Sequence, residues 1–134
     1  MTGWAAMNKE IIATQDAPAA IGPYSQAIRS GSLLFCSGML PLDPKDPAAA
    51  FSDDITEQTE RVCQNLQGLL GSQGLTFGHV LKTTVFLTDM GNFAAMNAVY
   101  ARYFNSQEPA RSTVAVAGLP RGAKVEIEVV ATFE

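Results

Sequence analysis

The sequence predicts an α+β domain of two layers, in which two helices cover one face of a six-stranded mixed sheet. Two segments repeat apolar residues at steps of three and four, the spacing of a helix with one buried face. Six shorter segments are rich in β-branched and aromatic residues, or alternate apolar and polar residues as strands do. Helices and strands alternate along the chain, which favours both helices on the same side of the sheet.

The N-terminal third is expected to supply three strands and one rigid loop. Lys9–Ala13 form a short first strand. Asp16–Pro23 contain two prolines and one glycine, which predicts a rigid loop that positions Tyr24. Ser25–Arg29 and Leu33–Ser37 are predicted to pair as a hairpin, because only three small residues separate them.

The first helix is predicted to begin at an N-cap, Asp53 or Asp54, and to end near Gln73, where glycines stop it. Glu57 and Glu60 fall outside its apolar stripe and are expected to be solvated. The stripe comprises Ile55, Val62, Cys63, Leu66, Leu69 and Leu70.

The second helix is predicted from a cap at Asp89 or Asn92 to about Phe104. Asn97 adjoins its inner face, and the amide is either a hydrogen-bonded core group or part of a binding site. The inner face comprises Phe93, Met96, Tyr100 and Phe104.

Three further strands are predicted in the second half of the chain. Val80–Leu87 and Arg111–Ala117 contain few polar residues, so each is expected to be buried on both faces. In the last strand Val125, Ile127 and Val129 alternate with charged residues, which predicts one apolar face. Two short helices cannot cover both faces of six strands, so the uncovered face is expected to meet other subunits.

Composition and charge exclude several classes of function. The formal charge is −4 and the basic residues are scattered, which argues against nucleic-acid binding. The chain shows no signal-peptide pattern, and no apolar stretch reaches the roughly 20 residues that span a bilayer, so we expect a cytoplasmic protein without membrane contact. Cys36, Cys63 and His79 lack the spacing of a metal site. We expect two buried reduced thiols and a surface or capping histidine.

Two charged residues are unusual for the strands that carry them. Arg111 opens a strand predicted to be buried, and Glu126 lies within the next one. Such charges are unfavourable unless they are paired, hydrogen-bonded or bound to a ligand. An internal ion pair or a solvated strand face would explain both residues, and a ligand site is the alternative.

Three blocks of the sequence resemble the reactive intermediate deaminase family, the RidA or YjgF group. They read APAAIGPYSQA from Ala17, SGMLP from Ser37 and PARSTVAVAGLPRGAKVEIEVVA from Pro109, in the family's order and spacing. The resemblance covers residues 8–134 as a single domain and leaves residues 1–7 as an N-terminal extension. It implies a chorismate-mutase-like fold and a homotrimer with sites in the clefts between subunits. The implied activity is hydrolysis of 2-imino and 2-enamino acids to 2-keto acids and ammonia, and no metal or cofactor is expected.

The resemblance also assigns roles to particular residues. Arg111 matches the family's carboxylate anchor, a role that suits a planar guanidinium able to form two parallel hydrogen bonds. Glu126 matches a strand glutamate and is expected to orient or deprotonate the attacking water. Further substrate-binding positions are expected at Tyr24, Ser37, Gly38, Asn97 and Thr113.

Three positions affect what the resemblance predicts about the site. Met39 stands where the family commonly has glutamine, which predicts a more apolar pocket. Thr113 stands where relatives carry cysteine or threonine, which argues against a thiol nucleophile. Tyr24 is either a core aromatic residue or part of the cleft.

Two questions stay open at the level of sequence. Burial would raise the pKa of Glu126, whereas Arg111 or Lys124 nearby would lower it. The alternative function is non-catalytic binding of small carboxylates such as keto acids, with a regulatory role on the same fold. A ribonuclease or translation inhibitor, activities attached to relatives, fits the acidic composition least.

Overall fold

The computed structural model describes residues 8–134 and confirms the predicted two-layer α+β architecture. The helices are α1 (Ile55–Ser72) and α2 (Phe93–Tyr103). The predicted extension, residues 1–7, lies outside the described residues. The strands are β1 (Glu10–Ile12), β2 (Ala27–Ser30), β3 (Leu33–Met39), β4 (Val80–Leu87), β5 (Ala110–Ala115) and β6 (Val125–Thr132).

The six strands form one mixed sheet in the order β1-β2-β3-β6-β4-β5. Strands β4 and β5 are parallel, and every other neighbouring pair is antiparallel. A parallel pair needs a crossover connection, which α2 provides. The last strand of the chain therefore lies inside the sheet, while β5 forms one edge.

Both helices pack on the same face of the sheet, and the core lies between the two layers. Asp54 is the N-cap of α1, and its side chain accepts a hydrogen bond from the backbone N–H of Glu57. The predicted stripe of α1 is confirmed, since its five residues from Val62 to Leu70 are fully buried. The inward residues of β6 meet it: Val125, Ile127, Val129 and Ala131.

Helix α1 also buries polar residues that its periodicity does not reveal. The Asn65 amide donates to the carbonyls of Leu40 (3.1 Å) and Leu42 (2.8 Å). The Gln58 amide donates to the Ser52 carbonyl (2.9 Å), and its oxygen accepts from the Lys124 N–H (2.8 Å). These bonds satisfy buried groups and attach α1 to the loop after β3 and to the start of β6.

Three local expectations are wrong. The second strand of the predicted hairpin does not end at Ser37, because β3 continues to Met39 through a register shift after Cys36. Glu60 is not simply solvated, since it accepts hydrogen bonds from Arg102 and Tyr103 of α2 (both 2.7 Å). These partners lie more than 40 residues away in sequence, so local periodicity does not indicate them.

The third error concerns β4 and β5, neither of which is buried on both faces in the single chain, since the residues of β4 that point away from the helices are exposed or only partly buried. Strand β5 is an edge strand, and five of its six residues are exposed in the single chain. The sheet face opposite the helices also remains open along β3, β4, β5 and β6. Phe35 and Val114 project there with 45% and 41% of their surface exposed. No helix within residues 8–134 is long and apolar enough to cross a bilayer.

Candidate functional site

The structure divides the predicted site residues into two groups that lie apart within one chain. Arg111, Asn97 and Thr113 form the first, which we call the arginine cluster. Glu126, Gly38, Ser37 and Tyr24 form the second, the glutamate cluster.

Arg111 is an exposed residue at the start of β5, and α2 holds its side chain in place. Its Nη1 donates to Asn97 Oδ1 at 2.7 Å. The guanidinium carbon lies 4.7 Å from the centre of the Tyr100 ring and 5.5 Å from that of Phe93. The bond to Asn97 uses one of five N–H donors, so the group is oriented and still able to bind an anion.

Tyr100 supports this arrangement from inside the core. Its hydroxyl lies 2.8 Å from Thr83 Oγ1, and both side chains are buried. Burial raises the pKa of the Tyr100 hydroxyl, which keeps the phenol neutral. Because the hydroxyl is fixed, the ring offers the guanidinium a stationary aromatic surface.

An open groove lies in front of Arg111. It measures about 530 Å³ and is lined by Asn97, Tyr100, Phe104 and Glu108 as well as by Arg111. This volume is in the range of small-molecule sites. An aromatic wall with one arginine suits a small organic carboxylate.

Thr113 shares the helix-covered side of β5 with Arg111, two residues away. Its Oγ1 is buried, and it has no hydrogen-bond partner among residues 8–134. A buried hydroxyl without a partner is unfavourable in the free protein. The oxygen is covered by atoms of this chain, so an outside group reaches it only when the surrounding side chains move.

Glu126 lies in the middle of the sheet, on the face that the helices leave open. It alternates with the buried residues Val125 and Ile127 and is paired with Phe86 of β4. A β-carbon placed on Gly38 would lie 2.7 Å from the carboxyl carbon and from Oε2 of Glu126. Gly38 therefore leaves the space in which the carboxyl group sits.

Burial decides the pKa of Glu126, which the sequence left open. Partial burial raises the pKa of this carboxyl group, and the neighbouring charge of Glu128 raises it further. Lys124 does not oppose the shift, because its Nζ lies 3.2 Å from Asp53 Oδ1. A carboxylate with a raised pKa is a better general base near neutral pH.

Ser37 and Tyr24 lie beside Gly38. Together with Met39 they border a small pocket that also includes Pro18. Ser37 Oγ donates to the Ser25 carbonyl at 2.6 Å. Tyr24 is 51% exposed, so it is not a core aromatic residue. Met39 is buried and gives the pocket an apolar wall, as its side chain predicts.

The two clusters project from opposite faces of the sheet. Arg111 is paired with Thr83, whose side chain is fully buried beneath the helices. Paired residues on adjacent strands share a face, so Arg111 points to the helix side. Glu126 points to the other side, and β4 separates its strand from β5. The ion pair considered from sequence is thus ruled out within this chain.

The histidine and the two cysteines have structural rather than catalytic roles. His79 Nδ1 accepts from the backbone N–H of Thr76 at 3.0 Å, which confirms the capping histidine. Cys36 and Cys63 are buried as predicted, and burial raises the pKa of each thiol to about 12. A thiol with such a pKa is a poor nucleophile.

Comparisons with known proteins agree on one family. A family model described as Endoribonuclease L-PSP matches residues 14–133. The chain is 45% identical over 123 residues to the 2-iminobutanoate/2-iminopropanoate deaminase of Salmonella typhimurium, covering 90% of this chain and 94% of that protein. It is 46% identical over 122 residues to a Lactococcus lactis protein named as a regulator, AldR, covering 91% and 96% of the two chains. The crystal structure of the yjgF gene product from E. coli superposes with a TM-score of 0.88 at 40% identity, covering 93% of this chain and 99% of that one.

Proposed function

Because this chain belongs to the Endoribonuclease L-PSP family, the reactive intermediate deaminase or RidA/YjgF group, we propose that it hydrolyses 2-imino acids to 2-keto acids and ammonia. Enamine substrates enter after they tautomerise to the imine. One observation carries the proposal: Arg111 is held by Asn97 above two aromatic rings and faces an open groove.

The groove around Arg111 suits the carboxylate end of such a substrate. A guanidinium binds a carboxylate through two parallel, charge-assisted hydrogen bonds. The aromatic rings exclude water from one side of the ion pair, which strengthens it. Thr113 lies two residues further along the same strand; its hydroxyl is covered in the single chain, so it reaches the bound acid only when the side chains around it move.

Glu126 is the residue proposed to handle the water. Its carboxylate takes a proton from water as the oxygen attacks the electrophilic C=N carbon, and it passes that proton to the imine nitrogen, which becomes an amine. In the collapse of the tetrahedral intermediate, Glu126 takes the hydroxyl proton and transfers it to the amine: the C–N bond breaks, ammonia leaves and the C=O bond of the keto acid forms. Imines already hydrolyse in water, so positioning and one general base, worth about 10² to 10⁴ in rate, are sufficient.

The complete site is proposed to lie between two subunits of a homotrimer. One chain cannot present Arg111 and Glu126 to the same small molecule, because they project from opposite faces of its sheet. In a closed ring, the β5 edge of one subunit can face the open sheet surface of the next. The exposed apolar side chains of Phe35 and Val114 on that surface support such an association.

A second candidate function is regulatory binding of small carboxylates without turnover. The similarity to the protein named as a regulator favours it, and the apolar wall at Met39 is compatible with a changed ligand. Both functions use Arg111 as the anchor, so the geometry of the arginine cluster does not separate them. The ribonuclease named in the family description is disfavoured by the net charge of −4.

The test is to generate 2-iminobutanoate and related imines in situ with an amino-acid oxidase and to follow their decay. Saturable acceleration by the wild-type protein is expected. Saturable binding of 2-ketobutyrate without acceleration for any side chain would contradict the deaminase proposal and support the regulatory one. Neither binding nor acceleration would contradict both.

A further inference from the structure

We propose that Gln26 is a positioning residue of the site, because its side-chain amide fixes the loop that carries Tyr24 and its backbone fixes Ser37. This inference rests on the proposed function and on the family resemblance, which implies that Tyr24 and Ser37 bind the substrate. The loop comprises residues 14–24, which lead from β1 to β2.

Gln26 is buried just before β2, with 7% of its surface exposed. Its amide nitrogen lies within hydrogen-bond distance of three loop carbonyls, those of Thr14 (3.0 Å), Ala17 (3.2 Å) and Pro18 (2.7 Å). Its amide oxygen accepts from the Thr14 N–H at 2.6 Å. One side chain thus replaces the backbone pairing that an irregular loop lacks.

The backbone of the same residue extends this anchor to β3. The Gln26 carbonyl accepts a hydrogen bond from the Ser37 N–H at 3.0 Å. Ser37 in turn precedes Gly38, against which the Glu126 carboxyl group is placed. Gln26 therefore connects the Tyr24 loop to the remainder of the glutamate cluster.

A second contact, between Asp16 and Gly68, packs the loop against α1. A β-carbon on Gly68 would lie 2.0 Å from the carbonyl oxygen of Asp16, so this helix position has room for the loop only as glycine. Ala17 is buried at the same place, with 2% exposure. The beginning of the loop is thus held by α1 and by Gln26 together.

Tyr24 depends on this anchor because its own side chain is weakly held. It is 51% exposed, and its hydroxyl accepts one long hydrogen bond, 3.4 Å from the backbone nitrogen of Ile21. The position of its ring therefore follows from the backbone of the loop. The side chain at position 26 must supply both a donor and an acceptor to serve the Thr14 N–H and the three carbonyls, as the glutamine amide does.

The first test is Gln26→Leu, which keeps similar bulk and removes every side-chain hydrogen bond. Hydrogen exchange of a peptide within residues 13–25 is expected to become about tenfold faster or more, with the Thr14 amide included. For imine hydrolysis kcat/KM is expected to fall about 10- to 100-fold, because the loop no longer holds Tyr24 in place. Gln26→Glu keeps the acceptor and loses the donor, and it is expected to act in the same direction. It replaces the leucine variant in the test if that variant folds poorly.

Gln58→Leu is the matched control. It also removes a buried glutamine with bonds to backbone groups, but those bonds join Ser52 and Lys124 and none reaches the loop of residues 14–24. Lower thermal stability with unchanged kcat/KM and unchanged exchange in residues 13–25 is expected. If Gln58→Leu and Gln26→Leu affect kcat/KM equally at equal stability, Gln26 has only a structural role and the proposal is overturned.

A double-mutant cycle with Tyr24→Ala completes the test. If Gln26 acts through Tyr24, the double variant loses little more activity than Tyr24→Ala alone. Additive losses would overturn the proposal, and so would unchanged loop exchange in both Gln26 variants. An inactive wild-type protein would contradict the proposed deaminase function itself, and the exchange experiment would still decide whether Gln26 anchors the loop.

Discussion

Gly38 and Glu126 occupy complementary space on neighbouring strands. A β-carbon on Gly38 would lie 2.7 Å from the carboxyl carbon of Glu126, a distance that non-bonded carbon atoms do not tolerate. The colliding group is the end of a flexible side chain, so Glu126 can swing away at small cost in stability. The same movement would take the carboxylate out of the position from which it acts on water.

Gly38→Ala is therefore expected to lower kcat/KM by about 100-fold while changing the thermal unfolding temperature little. The two measurements are imine decay under single-turnover conditions and differential scanning calorimetry. Activity equal to that of the wild type would show that the position of Glu126 beside Gly38 does not matter for catalysis.

Gly71→Ala is the matched control for that substitution. Gly71 lies within α1, and a β-carbon there meets no atom within 4 Å. The alanine variant is expected to be more stable by up to about 1 kcal/mol, the difference in helix propensity, and fully active. A loss of activity in Gly71→Ala would mean that the assay responds to changes remote from the site.

Arg111→Ala is expected to reduce kcat/KM about 10- to 150-fold, the effect of losing about 1.5 to 3 kcal/mol of charged hydrogen bonding. Arg111→Lys is expected to restore little of this, because lysine lacks the planar fork that meets Asn97 and a carboxylate together. Arg111 is exposed, so both variants should fold. A lysine variant as active as the wild type would contradict the bidentate anchor.

Asn97→Asp keeps the hydrogen bond that holds Arg111 and tests whether the substrate carboxylate binds at Arg111. The new carboxylate would accept the hydrogen bond from Arg111 Nη1, as Asn97 Oδ1 does at 2.7 Å, and would add a charge that competes with the substrate. KM is expected to rise about tenfold or more, with a smaller change in kcat. An unchanged KM would show that the substrate carboxylate does not bind at Arg111.

Glu128→Gln tests the pKa of the proposed base without touching it. Burial and the charge of Glu128 both raise the pKa of the Glu126 carboxyl group. A general base must be deprotonated, so kcat/KM should decline as the pH falls through that raised pKa. Removing the Glu128 charge lowers the pKa, and the acidic limb of the profile should move to lower pH by about half a unit or less. A shift to higher pH, or an acidic limb that persists in Glu126→Gln, would exclude Glu126 as the titrating group.

The order of the elements could be predicted from the sequence because it depends on local periodicity. The alternation of Val125, Ile127 and Val129 and the stripe of α1 each report one buried face. The apolar character of β5 was also read correctly, but its burial was not, because an edge strand is covered only by something outside the chain. Periodicity reports what a strand is suited to contact, and it contains no information about which chain supplies the contact.

The sequence predicted the residues of the site but not the residues that hold them in place. The motifs indicated Arg111 and Glu126, whereas the buried bond between Thr83 and Tyr100 and the loop anchor at Gln26 were missed. Tyr100 has the spacing of an ordinary core residue, and a glutamine carries no periodic signal. Support of this kind depends on contacts between distant parts of the chain, which a local pattern does not encode.

Subunit complementation tests the proposed location of the site most directly. Arg111→Ala and Glu126→Gln remove residues that project from opposite faces of one sheet. If each site takes Arg111 from one subunit and Glu126 from its neighbour, a mixed trimer contains some sites with both wild-type residues. Random reassembly of an equal mixture gives about a quarter of such sites, because each of the two subunits must carry the required wild-type residue with a probability of about one half.

The mixture is therefore expected to recover about a quarter of wild-type activity after unfolding and refolding together, although Arg111→Ala alone keeps at most about a tenth and Glu126→Gln at most about a hundredth. The double variant Arg111→Ala/Glu126→Gln mixed with wild type is the control. It also yields about a quarter of sites with both residues intact under the shared-site arrangement, but about half if each site lies within one chain. Single variants that stay inactive when mixed, together with the value of one half in the control, would place both residues in a site formed by one subunit. The opposite result would show that assembly brings the two clusters together, which explains why a single chain keeps them apart.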